Sequence, residues 1–299
     1  MANWAIQVAN ALIPLMNLME EAVLDAKYVH SDETIAQVLK EPGRDPTTKS
    51  FVWIFKRGDP ERDVLIYKYH TTRSGDVARS FLAGFQGYVQ TDGYSGYDFL
   101  DHTEGIVHIG CWAHARRKFI EAKKGQSGKK TSSADIALGY IRRLYHIEHE
   151  ARDMSPDERY RLRQEKSAPL LEEFHKWLLK RSAQVPPKSL IGKAIGYTLR
   201  QWERLTGYLK DGILSIDNNA AENAIRPFVL GRKNWLFAGT PEGAEANAIL
   251  YSIIETAKAN GLEPYAYLRY IFSKLPHTKK LEDYEALLPW NLTSEDIAI

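Results

Sequence analysis

Apolar residues recur at helical spacing from Trp4 to Asp25 (Ile6, Ala9, Leu12, Ile13, Met16, Met19, Val23), which predicts an N-terminal helix broken or kinked by Pro14. The pattern then changes. β-Branched and aromatic runs at Tyr28 to His30, Phe51 to Lys56 and Val64 to Tyr69 are separated by the turn-rich stretches Glu41-Pro-Gly-Arg-Asp-Pro46 and Arg57-Gly-Asp-Pro60. They predict three successive strands of a meander. Ser74 is placed to cap a helix reaching about Gly84. Gly87 to Gln90 and Ile106 to Ile109 read as further short strands, the second leading into Cys111-Trp-Ala-His-Ala-Arg-Arg-Lys-Phe119. The predicted order is β-β-β-α-β-α-β-α.

From Lys123 to Ser133 the chain has no apolar residue and reads as a mobile linker. Helical patterning follows to about Asp211: Ile136 to Asp153, a start signal at Ser155-Pro-Asp-Glu158, an amphipathic stretch through Trp177, and a helix from Lys188 to Leu209. This predicts an all-helical insertion in an α/β core. The core resumes near Ile213, with a helix from about Glu242 to Ala259, a stop at Gly261 and a last helix from Pro264 to Leu275. The expected division is an N-terminal helical segment (1–27), a first core part (28–125), the helical insertion (126–210), a second core part (211–275) and a tail (276–299).

Composition changes this picture little. At 299 residues, 44% hydrophobic and 26% charged, the chain reads as folded and water-soluble. A formal net charge of +2 means that any nucleic-acid binding comes from local clustering of Lys and Arg. The single cysteine, Cys111, excludes an intrachain disulfide and fits a reducing compartment. The apolar stretch from Ala5 to Met19 is interrupted by Gln7, Asn10, Pro14 and Asn17, too polar for a membrane span or an export signal. The expected location is cytoplasmic.

Three acidic residues stand in distinctive settings: Asp32 and Asp92 at the ends of β-like runs, and Glu222 opening a helix in Asp217-Asn-Asn-Ala-Ala-Glu-Asn-Ala-Ile-Arg-Pro227. Each has a plain alternative. Asp92-Gly93 is a common turn sequence, and Asn219 with Glu222 resembles a capping box. Their order along a strand-rich core matches an RNase H-like nucleotidyltransferase, with a mixed five-stranded sheet flanked by helices. In such a site carboxylates hold two Mg²⁺ (or Mn²⁺) ions that activate an attacking hydroxyl and stabilise the leaving oxygen of a phosphoryl displacement.

The segments His30-Ser-Asp-Glu-Thr34, Gln90-Thr-Asp-Gly-Tyr-Ser-Gly-Tyr97, Cys111 to Phe119, Ile216 to Arg226, Leu230-Gly-Arg-Lys-Asn-Trp-Leu-Phe-Ala-Gly239 and Leu287-Leu-Pro-Trp-Asn291 together resemble the DDE transposases of the insertion sequence 66 family. The likeness runs from about Ala2 to Asn291. It implies that Asp32, Asp92 and Glu222 are a catalytic and metal-binding triad, with the helical insertion lengthening the interval before Glu222. It further implies hydrolysis of element ends, then attack of the freed 3′-hydroxyl on target DNA by a chain that oligomerises on DNA. Members usually carry an N-terminal region for end recognition, and this chain is expected to start close to the core. Two other readings stand beside it: an inactive remnant that binds DNA or full-length transposase, and an RNase H-like nuclease without strand transfer.

Around the triad, Arg226 lies one helical turn beyond Glu222, and Arg232, Lys233 and Asn234 follow a glycine whose turn would aim them at DNA. Arg116, Arg117 and Lys118, with Lys123, Lys124, Lys129 and Lys130, form a second basic cluster. Trp235 and Trp112 are candidates for stacking on an unpaired base, although most tryptophans are core residues. His30 shares a strand face with Asp32, for a phosphate, a bound water or plain packing. Cys111 and His114 form a Cys-x-x-His pair without the partners that complete a zinc site. The resemblance gives that pair a role in ordering the site; the alternative is a buried thiol beside a helix-start histidine.

Overall fold

The computed structural model describes residues 2–125 and 132–298. In chain order the helices and strands are α1 (Ala2–Ala11), α2 (Ile13–Leu24), β1 (Tyr28–Gln37), β2 (Lys49–Arg57), β3 (Leu65–His70), α3 (Asp76–Phe81), β4 (Gly87–Gln90), β5 (Ile106–Ile109), α4 (Trp112–Lys124), α5 (Ser133–Glu150), α6 (Pro156–Leu162), α7 (Ala168–Ser182), α8 (Leu190–Arg200), α9 (Trp202–Thr206), α10 (Asn219–Trp235), α11 (Pro241–Ala259), α12 (Pro264–Lys274) and α13 (Leu281–Glu285). The fold is α/β, with a mixed five-stranded sheet in the order β3-β2-β1-β4-β5. Two compact units are distinguished: residues 1–87, 95–106 and 220–299, and residues 88–94 and 107–219.

In the first unit β1, β2 and β3 form the antiparallel meander that the sequence predicts. β1 is much longer than the run Tyr28 to His30. Every residue from Val29 to Gln37 is paired with β2, so the polar Ser31-Asp-Glu33 continues the strand and Asp32 stands within it, not at its end. Hydrogen bonding to a full-length neighbour overrides the low strand propensity of those residues. Opposite partners share a face, and alternation puts Asp32, Thr34 and Ala36 on one side with Val52, Ile54, Leu65 and Tyr67. On that side α10 packs through Ala221, Ala224, Ile225 and Phe228. The opposite face is closed by the stacked rings of Phe55 and Phe81, 3.8 Å apart, and by Tyr97 edge-on to Trp53.

β3 is the outermost strand, and α11 lies along it. The buried hydroxyls of Thr256 and Ser252 accept from the backbone N–H groups of Leu65 and Tyr67 at 3.0 and 2.8 Å. One turn apart on α11, these hydroxyls take the place of a sixth strand and close the edge. At the other end of the helix Thr240 caps the first turn, and Gly261, at φ +77°, ends it.

The N-terminal helix divides at Leu12, with Pro14 in the first turn of α2, where its missing N–H costs nothing. α10 runs unbroken through Pro227 and Gly231 to Trp235, so Arg232, Lys233 and Asn234 are helical residues and follow no turn. Gly231 is there for space: a Cβ would lie 2.0 Å from the Tyr251 hydroxyl.

In the second unit, residues 133–210 contain only helices, with a π-helical turn at Arg163–Ser167. The expected helix from Lys188 to Leu209 is divided into α8, α9 and a 3₁₀ turn. The core is aromatic: Phe174 stacks on Tyr140 at 4.7 Å, and Trp112 meets Trp202 edge-on at 6.0 Å. Arg163, 1% exposed, donates to the carbonyls of Tyr208, Asp211 and Leu214 and pairs with Glu148 at 2.6 Å. Residues 126–131, most of the expected linker, and with them Lys129 and Lys130, lie outside the described residues, whereas Lys123 and Lys124 end α4.

Candidate active site

In the first unit the half-buried Asp32 is on the sheet face that receives α10, and its Oδ1 accepts from the Glu33 N–H at 2.9 Å. Glu222, also half-buried, stands in the first turn of that helix between the packed residues Ala221 and Ala224. The strand carrying the first predicted acid and the helix carrying the third are therefore packed together. On the other face Glu33 accepts from the Tyr97 hydroxyl at 2.7 Å and from Arg73 Nε at 2.7 Å. This fixes the peptide next to Asp32.

His30 is buried against the Tyr28 ring, 4.4 Å between centroids. Arg226, Lys233 and Asn234 are exposed on α10. Arg232 instead reaches back to β1, bonding the Ile35 carbonyl and lying 3.5 Å from Thr34 Oγ1. Trp235 turns inward, edge-on to Phe228 at 5.4 Å, and joins the cluster under α10.

Beyond Trp235 the chain turns through Leu236, the one described non-glycine residue with positive φ, at +63°. A leucine held there costs about 1 to 2 kcal/mol. The turn is fixed to the end of β1, where Ala238 donates to the Gln37 carbonyl and Leu39 donates to Ala238, at 2.9 and 3.0 Å.

In the second unit Asp92 follows β4, and its Oδ1 accepts from the Tyr94 N–H at 2.8 Å, which is the turn geometry that Asp-Gly favours. Gly93 is tightly constrained, since a Cβ there would meet the Tyr197 hydroxyl at 2.3 Å. Burial, and after it the Asp92 charge, raise the Tyr197 phenol above its ordinary range, and the Lys118 ammonium lies 4.6 Å from the ring centroid. Tyr197 belongs to α8, so the helical region supplies a side chain to the surroundings of Asp92. Nothing in the local sequence around Tyr197 marked this contact.

Cys111 stands where β5 passes into α4. Its buried thiol accepts from the Asn218 N–H at 3.2 Å, and the Trp112 N–H donates to the Ile216 carbonyl at 3.2 Å. The two bonds hold the segment from Ile216 to Asn218. Burial pushes the thiol up to about 12, against the pull of the N–H groups around it, so it is protonated at neutral pH. His114 lies half-buried in the first turn of α4. Trp112 is fully buried, with its indole N–H on the Leu205 carbonyl at 2.8 Å, and is a core residue, not a stacking platform for bases. Arg116 and Arg117 are exposed on α4, and Lys118 is half-buried.

Among the described residues no helix is long and apolar enough to cross a membrane. The chain is similar to three uncharacterized proteins of Sinorhizobium fredii. These are y4hP (34% identical, covering 94% of this chain and 53% of that protein), y4qI (33%, 99% and 57%) and y4jD (32%, 98% and 59%). It spans somewhat over half the length of these relatives. No solved structure matches it. The family described as "Transposase IS66 family" matches residues 1–246, and the "IS66 C-terminal element" matches residues 252–290. With its strand acid, its Asp-Gly turn and its helix-borne glutamate inside that match, the chain belongs to the IS66 family of transposases.

Proposed function

We propose that this chain is the catalytic core of a DDE-type transposase that hydrolyses the 3′ ends of its element and then transfers the freed 3′-hydroxyl into target DNA. The reading extends family membership to a specific chemistry. The observation that carries it is the packing of α10, with Glu222 in its first turn, on the sheet face that Asp32 occupies. In this reading the fold is RNase H-like. Residues 28–125 and 211–275 are the parts of the core, 126–210 the insertion, 1–27 a helical lead-in and 276–299 a tail.

Asp32, Asp92 and Glu222 would hold divalent cations, Mg²⁺ or Mn²⁺. All three offer hard oxygen donors on half-buried residues, which fits that group. Two such ions, when bound, supply charge for the attacking and leaving oxygens of an in-line displacement. The protein's own groups do the rest. Glu33, held by Tyr97 and Arg73, fixes the backbone at Asp32, and Cys111 and Trp112 hold the segment from Ile216 to Asn218. The exposed Arg226, Lys233, Arg116 and Arg117 are suited to phosphates, with the partly covered Lys118 over the Tyr197 ring. The partner is DNA, the assembly on it a homo-oligomer, and the location cytoplasmic and nucleoid-associated.

The test is nicking and strand transfer on duplexes bearing the element ends, with Mg²⁺ or Mn²⁺. Asp92→Ala is expected to lower both by on the order of a thousandfold, about 4 kcal/mol of barrier, with the fold retained in thermal unfolding. Equal activity in the variant would overturn the assignment. Duplex binding without cutting by the parent protein would favour a non-catalytic modulator, and hydrolysis without joining from a supplied 3′-hydroxyl a plain nuclease.

A further inference from the structure

The face of α10 turned away from its packed residues carries Arg226, Leu230 and Lys233 in one exposed stripe, spaced four and three residues apart. The stripe ends at a tip. There Leu236 and Phe237 are 61% and 44% exposed, and Leu230 is 52% exposed. Large apolar side chains in water are ordinary when scattered, but these are grouped at one end of one helix and held there. The Leu236 N–H bonds the Arg232 carbonyl at 2.8 Å, the Phe237 N–H bonds the Trp235 carbonyl at 2.8 Å, and Ala238 is bonded to the end of β1. Leu236 keeps its left-handed backbone although glycine or asparagine would hold it more easily.

The charge of the segment selects the partner. From Asn223 to Pro241 there is no Asp or Glu, and Arg226, Arg232 and Lys233 are the charged residues. Apolar tips flanked by cations match duplex DNA, in which the cations take phosphates and the tip enters between bases and unstacks them. Trp235, the aromatic residue expected to stack on a base, is turned into the core, and Phe237 is the exposed ring beside it.

We propose that Leu236 and Phe237 are a wedge that enters a base step of duplex DNA while Lys233 and Arg226 bind the adjoining phosphates. The proposal rests on DNA being the substrate. Binding, unstacking and cutting are therefore measured apart. Duplexes with 2-aminopurine at successive steps report unstacking as a rise in emission, and anisotropy of a labelled duplex reports binding.

The parent protein is expected to raise the emission severalfold at one step. Leu236→Gly combined with Phe237→Ala should remove most of that rise and weaken binding at low salt by less than about tenfold. Lys233→Gln should keep the rise and make the salt dependence of binding shallower by about one unit. Circular dichroism and thermal unfolding check that both variants fold, and Phe237→Ala alone serves if the double variant does not. Binding by the parent protein without unstacking at any step overturns the wedge alone, as does a full rise in the wedge variant. Absence of duplex binding overturns the wedge and counts against the DNA reading as well. A change of mass in light scattering on losing the wedge, with unstacking unaltered, overturns it in favour of contact between copies of the chain.

Discussion

The two compact units give buried backbone groups their partners with different chemistry. In the first, two neutral hydroxyls on α11, Ser252 and Thr256, serve the N–H groups along β3. In the second, one guanidinium, Arg163, gathers three carbonyls and the carboxylate of Glu148. A hydroxyl carries no charge into the interior, so each contact is modest and independent of pH. An interior cation is worth much only while every partner stays in place. The difference sets what one substitution does in each unit: loss of a hydroxyl in the sheet region removes a small increment, whereas loss of Arg163 in the helical region strands several partners at once.

Arg163→Met makes the sharpest test. It leaves Glu148 and three carbonyls without their partner, and urea unfolding should show a loss of about 3 to 5 kcal/mol. Adding Glu148→Leu should recover part of it. A loss below about 1 kcal/mol in the single variant would break the comparison.

Alkali gives the next effect. The folded state holds the Cys111 proton more tightly than the unfolded chain does. This group's contribution is therefore complete below pH 9 and falls as pH climbs towards about 12. Each unit of difference is worth about 1.4 kcal/mol, so unfolding of the parent and of Cys111→Ala followed across this range should show a steeper decline in the parent. Smallest is Ser252→Ala, expected to cost about 1 to 2 kcal/mol and to speed amide exchange at Tyr67, with Thr256→Val acting likewise at Leu65. Exchange that stays slow at both positions would mean that the hydroxyls do not seal the strand.

The elements with a clear apolar rhythm were legible: the N-terminal helical stretch with a break near Pro14, the meander, and the helix from about Glu242 to Ala259 with its stop at Gly261. The reach of β1 was not, because Ser31-Asp-Glu33 reads as polar loop until β2 is paired against it. Pro227 and Gly231 concealed the unbroken course of α10, which its packing on the sheet sustains. Of the candidate site, the acids stood out by motif. Tyr197 did not, since its place beside Asp92 depends on how a distant helix folds back, and Arg163 reads in sequence as one more surface cation. Trp112 and Trp235 show the limit of residue type alone: both are aromatic in basic surroundings, and both face inward.

The seal on β3 has a consequence for biosynthesis. Leu65 and Thr256 are 191 residues apart, so this border of the sheet emerges from the ribosome long before the helix that covers it. At about 5 to 20 residues per second the interval is roughly 10 to 40 s. For that time the nascent chain carries an uncovered template for intermolecular pairing, and neighbouring chains on one polysome are the partners within its reach.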